Sequence, residues 1–151
     1  MEVLNDAFGY AVLAWVPGAW IANVVLSGPV MAARAKYGVK YPNLYAVPGQ
    51  HKNADEFNAV QRGHQNFLET VHAVQLMALF GSLHSEKAAL ANVAGAVCFY
   101  TGAYLYGKGY AKHWDKENGR YKTGGAIKYI GILTALVTSV MTGLKMSSLL
   151  S

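Results

Sequence analysis

The chain has 151 residues, 53% of them apolar and only 14% charged. That is room for one domain but too little charge to coat a soluble surface, where roughly a quarter of residues would be charged. The formal net charge of +5 raises nucleic acid as a partner, but the positions of the cations argue against it. Arg34, Lys36, Lys40 and Lys52 fall between the first and second apolar segments, and Lys108, Lys112, Lys116, Arg120 and Lys122 between the third and fourth. The turn between these clusters has only Lys87, the N-terminal tail has no Lys or Arg, and the C-terminal end has Lys145. Alternation of this kind follows the positive-inside rule: both basic loops are expected in the cytosol and both termini on the luminal side.

The first apolar segment, residues 8–30, has the length of a membrane span, about 20 residues. Pro17 and Gly18 near its middle predict a kink whose freed carbonyl needs a neighbour. Asn23 is expected to hydrogen-bond between helices, and Trp15 and Trp20 to pack or to sit in an aromatic belt. The preceding MEVLNDAFGY is acidic where a cleavable signal would be basic, so the segment reads as a retained span. The connection that follows, with two prolines and three tyrosines in RAKYGVKYPNLYAVPGQHKNAD, predicts an ordered, irregular loop.

A second helix is expected over 56–83, with Asp55 and Glu56 suited to its positive N-terminal end. After the short turn HSEKAAL, with Ser85 as N-cap, a third is expected over 88–110. There Ala91, Ala94 and Gly95 would permit close helix approach. The single Cys98 reads as a small buried hydrophobe, with a reactive thiol as the alternative. The basic loop AKHWDKENGRYKTGG then leads to a fourth span over 126–150. No internal repeat or boundary divides the chain. The fold expectation is a single all-α domain over 1–151, an integral membrane four-helix bundle of up-down topology.

The second helix departs from a plain span. FNAVQRGHQNFLETVHAVQ carries Arg62, His64, Gln65, Asn66, Glu69, His72 and Gln75. Ionisable groups in a bilayer are costly and mark a working site by default. Arg62, Asn66 and Glu69 stand at i, i+4 and i+7, on one helix face. A guanidinium, an amide and a carboxylate on one stripe suit a zwitterionic, peptide-like ligand. The competing reading is an ion-pair network that fastens helices or subunits. Glu69 needs a cation if buried, and a ligand ammonium is one candidate. His72 is better read as an interhelical hydrogen bond, and His64 stands between the two readings. His64 and His72 are eight apart with no HExxH or cysteine cluster, so no metal site is expected.

On the third helix, Tyr106 and Tyr110 are four apart, as are Tyr100 and Tyr104. They read as an aromatic belt or as donors to a ligand carboxylate. Gly107 and Gly109 lack the rest of a dinucleotide fingerprint and instead suit close backbone packing.

The run F-N-x-x-Q-R-x-H-Q-N-x-x-E from Phe57 to Glu69 resembles the signature of the membrane-associated eicosanoid and glutathione (MAPEG) family. The loop from Ala33 to Pro42 and the tyrosine-rich end of the third helix are also similar, so the likeness covers nearly the whole chain. The resemblance implies a homotrimer in the endoplasmic reticulum or outer mitochondrial membrane. Glutathione would bind between subunits near the cytosolic face, and an electrophilic lipid or lipid hydroperoxide would enter from the bilayer. It implies glutathione contacts at Arg34, Arg62, His64, Asn66, Glu69, Tyr106 and Tyr110. The thiol-activating arginine matches Arg120, with Lys122 as the alternative. Family members that form leukotrienes have a second arginine directly after the one matched by Arg34; here Ala35 stands there, followed by Lys36. The implied activity is glutathione transfer or peroxide reduction. A non-catalytic, lipid-presenting branch of the same family is the alternative. A channel is disfavoured, because the ionisable residues cluster at one side instead of lining a pore.

Overall fold

In a computed structural model that describes residues 6–147, four long helices form and no strand does among the described residues. They are α1 (Asp6–Tyr37), α2 (Ala54–Gly81), α3 (Glu86–Lys112) and α4 (Lys128–Met146). Two 3₁₀ turns, Gly119–Tyr121 and Gly125–Ile127, lie between α3 and α4. α1 and α4 each pack on both α2 and α3. α1, α3 and the segment Gly125–Met146 are long and apolar enough to cross a membrane, whereas α2 has the length but keeps the polar stripe.

Several boundaries differ from the sequence expectation. α1 runs on to Tyr37, so Arg34 and Lys36 sit in its last turn, not in the loop, where cations face the negative helix end. α2 begins at Ala54 and stops at Gly81. α3 is a turn longer than expected, capped where the hydroxyl of Ser85 accepts from the Ala88 amide. α4 starts at Lys128 after a 3₁₀ turn, and the end of the expected span, 148–150, lies outside the described residues.

α1 stays helical through Pro17 and Pro29. Pro17 removes one intrahelical donor, and the carbonyls of the same turn are met from outside. Gln75 Nε2 donates to Trp15 O at 3.0 Å and Tyr100 Oη to Ala14 O at 3.2 Å. The core forms around Trp15, Phe67 and Phe99, with ring centroids 5.6 Å apart for Trp15–Phe99 and 6.0 Å for Phe67–Phe99. Trp15 Nε1 donates to Asn92 O at 2.9 Å, so its one polar group is matched inside the core. Trp20, by contrast, is 70% exposed.

Large apolar side chains cover the outside: Leu13, Ile21, Val24 and Val25 on α1, and Ile130, Leu133, Val137 and Val140 on α4. With small residues and aromatics inside and aliphatics outside, the chain is suited to a lipid surround. Close helix contact depends on glycine. A Cβ on Gly63 would lie 2.7 Å from Gly107 Cα, so α2 and α3 cross backbone to backbone there. Gly95 is buried as expected, but Ala91 and Ala94 face outward.

Candidate functional site

The loop 38–53 is fastened at both ends. Arg34 Nη1 donates to Val39 O at 3.3 Å and Asn43 O at 2.9 Å, and its guanidinium lies 4.3 Å from the Tyr41 ring centroid. Asn58 closes the other end by pairing with both backbone groups of Ala46, at 2.8 and 3.0 Å. Asn58 therefore has a structural task, and Arg34, expected at the site, is engaged by the loop within this chain.

On α2 the polar stripe splits. Arg62 Nη1 meets Glu69 Oε1 at 2.6 Å, with both side chains about two-fifths exposed, at 42% and 41%. The cation that Glu69 requires is thus Arg62, one of the residues on its own face. His64 Nε2 lies 2.8 Å from Asn23 Oδ1, which makes the interhelical bond expected of Asn23 and commits His64 to it. His72 forms no hydrogen bond among the described residues, contrary to expectation. It instead lines a groove of about 180 Å³ between α1 and α2, beside Asn23 and Gln75.

Asn66, between Arg62 and Glu69 in sequence, points to a residue that the sequence did not single out. Lys128 Nζ donates to Asn66 Oδ1 at 2.5 Å and sits 3.6 Å from the centroid of the Tyr106 ring. Lys128 is 3% exposed. Its backbone is pressed onto α3 at Gly102, where a Cβ would come within 2.6 Å of Lys128 Cα. The lysine thus joins the α2 stripe to the aromatic end of α3.

The tyrosines continue from there. Tyr106 is edge-on to Tyr110 at 5.3 Å and to Tyr121 at 5.6 Å. Tyr121 is delivered by the 3₁₀ turn Gly119–Tyr121, entered through Asn118 in the left-handed region at φ 53°, a conformation asparagine tolerates. The turn seats against α3 because Gly109 lacks a side chain: a Cβ there would lie 2.7 Å from Arg120 O. The role expected of Gly107 and Gly109, close backbone packing, is the one they have.

Arg120 rides on the same turn, its guanidinium 4.9 Å from the Tyr121 ring centroid. A side-chain hydrogen bond to Tyr121 pushes Arg120 above its ordinary range, so it stays cationic. The Tyr121 and Tyr129 hydroxyls are 3.0 Å apart. That bond first, and Arg120 second, hold the Tyr121 phenol below its ordinary value. Lys122 is exposed. Of the two candidate cations in this loop, Arg120 is the one at the tyrosine cluster.

A groove of about 530 Å³ opens elsewhere on the outer surface, between α1 and α3, lined by Gly18, Ile21, Val25, Leu26, Tyr100 and Tyr104 among others. Its wall is aliphatic with phenol edges. The Tyr100 hydroxyl is turned inward to the α1 carbonyls.

A sequence profile of the MAPEG family matches residues 12–141, which covers α2, α3 and both loops and most of α1 and α4. The chain belongs to the MAPEG family. Membership fits the three apolar helices and an integral membrane protein. MAPEG proteins include glutathione transferases and peroxidases as well as non-catalytic members. Within this MAPEG chain, Asn66, the unforeseen Lys128, Tyr106, Tyr110, Tyr121 and Arg120 form a continuous chain of contacts, and Arg62 and Glu69 share the helix of Asn66. Arg34 and His64 are held in bonds of their own. The signal that could have found Lys128 is a lone cation just inside the fourth apolar segment, masked by the lysines of the loop before it.

Proposed function

We propose that this protein is a membrane-bound glutathione transferase or glutathione-dependent peroxidase of the type 3 microsomal kind. The observation that carries the reading is the contact chain Asn66–Lys128–Tyr106–Tyr121. It unites the peptide-binding stripe of α2 with the turn that bears Arg120 in one cationic, aromatic cluster.

In this reading Arg62, Asn66 and Glu69 orient the tripeptide, with Tyr106 and Tyr110 as hydroxyl donors, Arg34 and His64 as outer contacts, and Arg120 opposite the sulfur. The thiolate is the nucleophile, and an adjacent guanidinium favours it by charge and hydrogen bonding. Lowering a thiol pKa by about two units requires roughly 2.7 kcal/mol of differential stabilisation, within the range of one arginine in a partly dry site. The thiolate then attacks an electrophilic carbon and displaces its leaving group, or attacks the terminal oxygen of a lipid hydroperoxide. The second route breaks the O–O bond to give glutathione sulfenic acid and an alkoxide that takes up a proton. A second glutathione condenses with the sulfenic acid to give the disulfide and water. The apolar groove between α1 and α3 suits such a lipophilic partner. With Ala35 where leukotriene formers carry arginine, simple conjugation and peroxide reduction are favoured over leukotriene synthesis.

The protein is further proposed to act as an up-down homotrimer, with the site loops cytosolic and the termini luminal, in the endoplasmic reticulum or the outer mitochondrial membrane. The Arg62–Glu69 pair supports an oligomer: at membrane depth an ion pair this exposed calls for protein cover. A second reading, a non-catalytic lipid-presenting protein, draws on the same apolar groove.

Stopped-flow detection of thiolate absorbance on mixing the purified protein with glutathione tests the enzyme reading. Wild type should form thiolate and Arg120→Ala should lose it together with turnover. Thiolate and turnover that survive Arg120→Ala would remove Arg120 from the chemistry.

A further inference from the structure

Lys128 is the one cation among the buried residues described. A buried ammonium is costly unless paired and hydrogen-bonded, yet the only ion pair among the described residues is Arg62–Glu69. Lys128 has three N–H donors and one hydrogen-bond acceptor, Asn66 Oδ1 at 2.5 Å, beside the face of Tyr106 at 3.6 Å. An ammonium cannot accept, so the atom of Asn66 that faces it must be the amide oxygen. This fixes the other end of the amide. Asn66 Nδ2 has no acceptor among the described residues, and the side chain is only half-buried.

We propose that Lys128 is a positioning residue of the site, holding the Asn66 oxygen so that the amide offers only N–H donors to the ligand. A free asparagine presents either a donor or an acceptor according to its flip; a clamped one discriminates. The group it selects is an acceptor, a carboxylate or a peptide carbonyl, and it rejects a donor-only ammonium at that point. Lys128 also adds a positive charge behind the amide, which reinforces the same preference. Because Lys128 is itself enclosed, it acts through Asn66 and through the Tyr106 ring below it. The proposal rests on the glutathione reading above, in which Asn66 contacts the tripeptide.

The test uses the full-length protein in detergent and calorimetric titration with glutathione and with S-methylglutathione, which has no ionisable thiol. Lys128→Met removes the clamp and should weaken both ligands by about tenfold or more, raising KM more than it lowers kcat. Lys128→Arg, which still donates to the amide oxygen, should recover most of the loss. Asn66→Asp keeps an oxygen toward Lys128, and so keeps the contact, but replaces the outward N–H₂ by oxygen. It should fold at least as stably as wild type and bind as poorly as Lys128→Met.

A merely structural lysine would lower the melting temperature and leave the affinity of the surviving molecules unchanged, which would overturn the proposal. Asn66→Asp with wild-type affinity would overturn it too, even if Lys128→Met fails to fold. Wild type that binds neither ligand would refute the glutathione reading and this inference together. Wild type that binds both, with variants that bind equally well, would refute the inference alone.

Discussion

Around Trp15 and Asn92 side-chain donors meet acceptors across helices, although Asn92 Oδ1 itself stays unpartnered, whereas around Asn66 and Lys128 it is donors that are left over. In the first region Trp15 Nε1 meets Asn92 O, Asn92 Nδ2 meets Thr138 Oγ1 at 3.0 Å, and Gln75 meets Trp15 O. These bonds join α1, α2, α3 and α4 in a setting of aromatic and small side chains. In the second, Asn66 Nδ2 has no protein acceptor among the described residues, and a buried ammonium has a single one. Donors met by acceptors on neighbouring helices build a scaffold. Donors left open suit the acceptor group that the proposed reading requires.

Variants in the two regions should fail in different ways. The largest effect belongs to the core. Phe99→Ala should lower stability by about 3–5 kcal/mol, read as a fall in melting temperature in detergent, while the folded fraction keeps its glutathione affinity. Next comes the turn: Arg120→Ala should cost about 100-fold in turnover, roughly 2.7 kcal/mol, with the melting temperature nearly unchanged. Lys122→Ala, from an exposed position in the same loop, should stay within about twofold in the same assay. Equal losses from the two would dissolve the distinction drawn between them.

Thr138→Val removes one interhelical bond from the scaffold and should cost about 0.6 kcal/mol, the usual scale for such bonds in membranes, with no change in binding. The smallest effect is read at alkaline pH. Tyr129, and after it Arg120, hold the Tyr121 phenol below its ordinary value. An acid depressed on folding adds stability that is full above its unfolded pKa, near 10, and is lost as pH falls through the folded value. Near neutral pH it contributes nothing. Tyr129→Phe should therefore move the Tyr121 phenolate absorbance to higher pH, with only the small cost of one exposed hydrogen bond at neutral pH. A shift to lower pH would contradict the hydrogen bond between these hydroxyls.

The helices were legible from the apolar segments because length and composition alone define a span. Ser85 as cap and Asp55 and Glu56 in the first turn of α2 were legible from local chemistry. The extra turns of α1 were not, because Arg34 and Lys36 read as loop charge although both complement a helix C-terminus. At the site, spacing put Arg62, Asn66 and Glu69 on one face but could not say which would pair. Arg62 and Glu69 satisfy each other seven residues apart, and Asn66 turns to a lysine 62 positions away. That partnership depends on α4 meeting α3 at Gly102, a tertiary contact with no local signature. The groove position of His72 is hidden from the sequence for a related reason: helical periodicity gives the face of a residue but not what lies opposite.

The open donors at this end of the bundle are proposed to form a glutathione site. Equilibrium titration of the purified wild-type protein with glutathione, run beside a titration with a fatty-acid ligand, tests it most directly. Saturable glutathione binding is expected, with thiolate absorbance rising in proportion to occupancy. Tight fatty-acid binding with no measurable affinity for glutathione would contradict it and leave the lipid-presenting reading in its place.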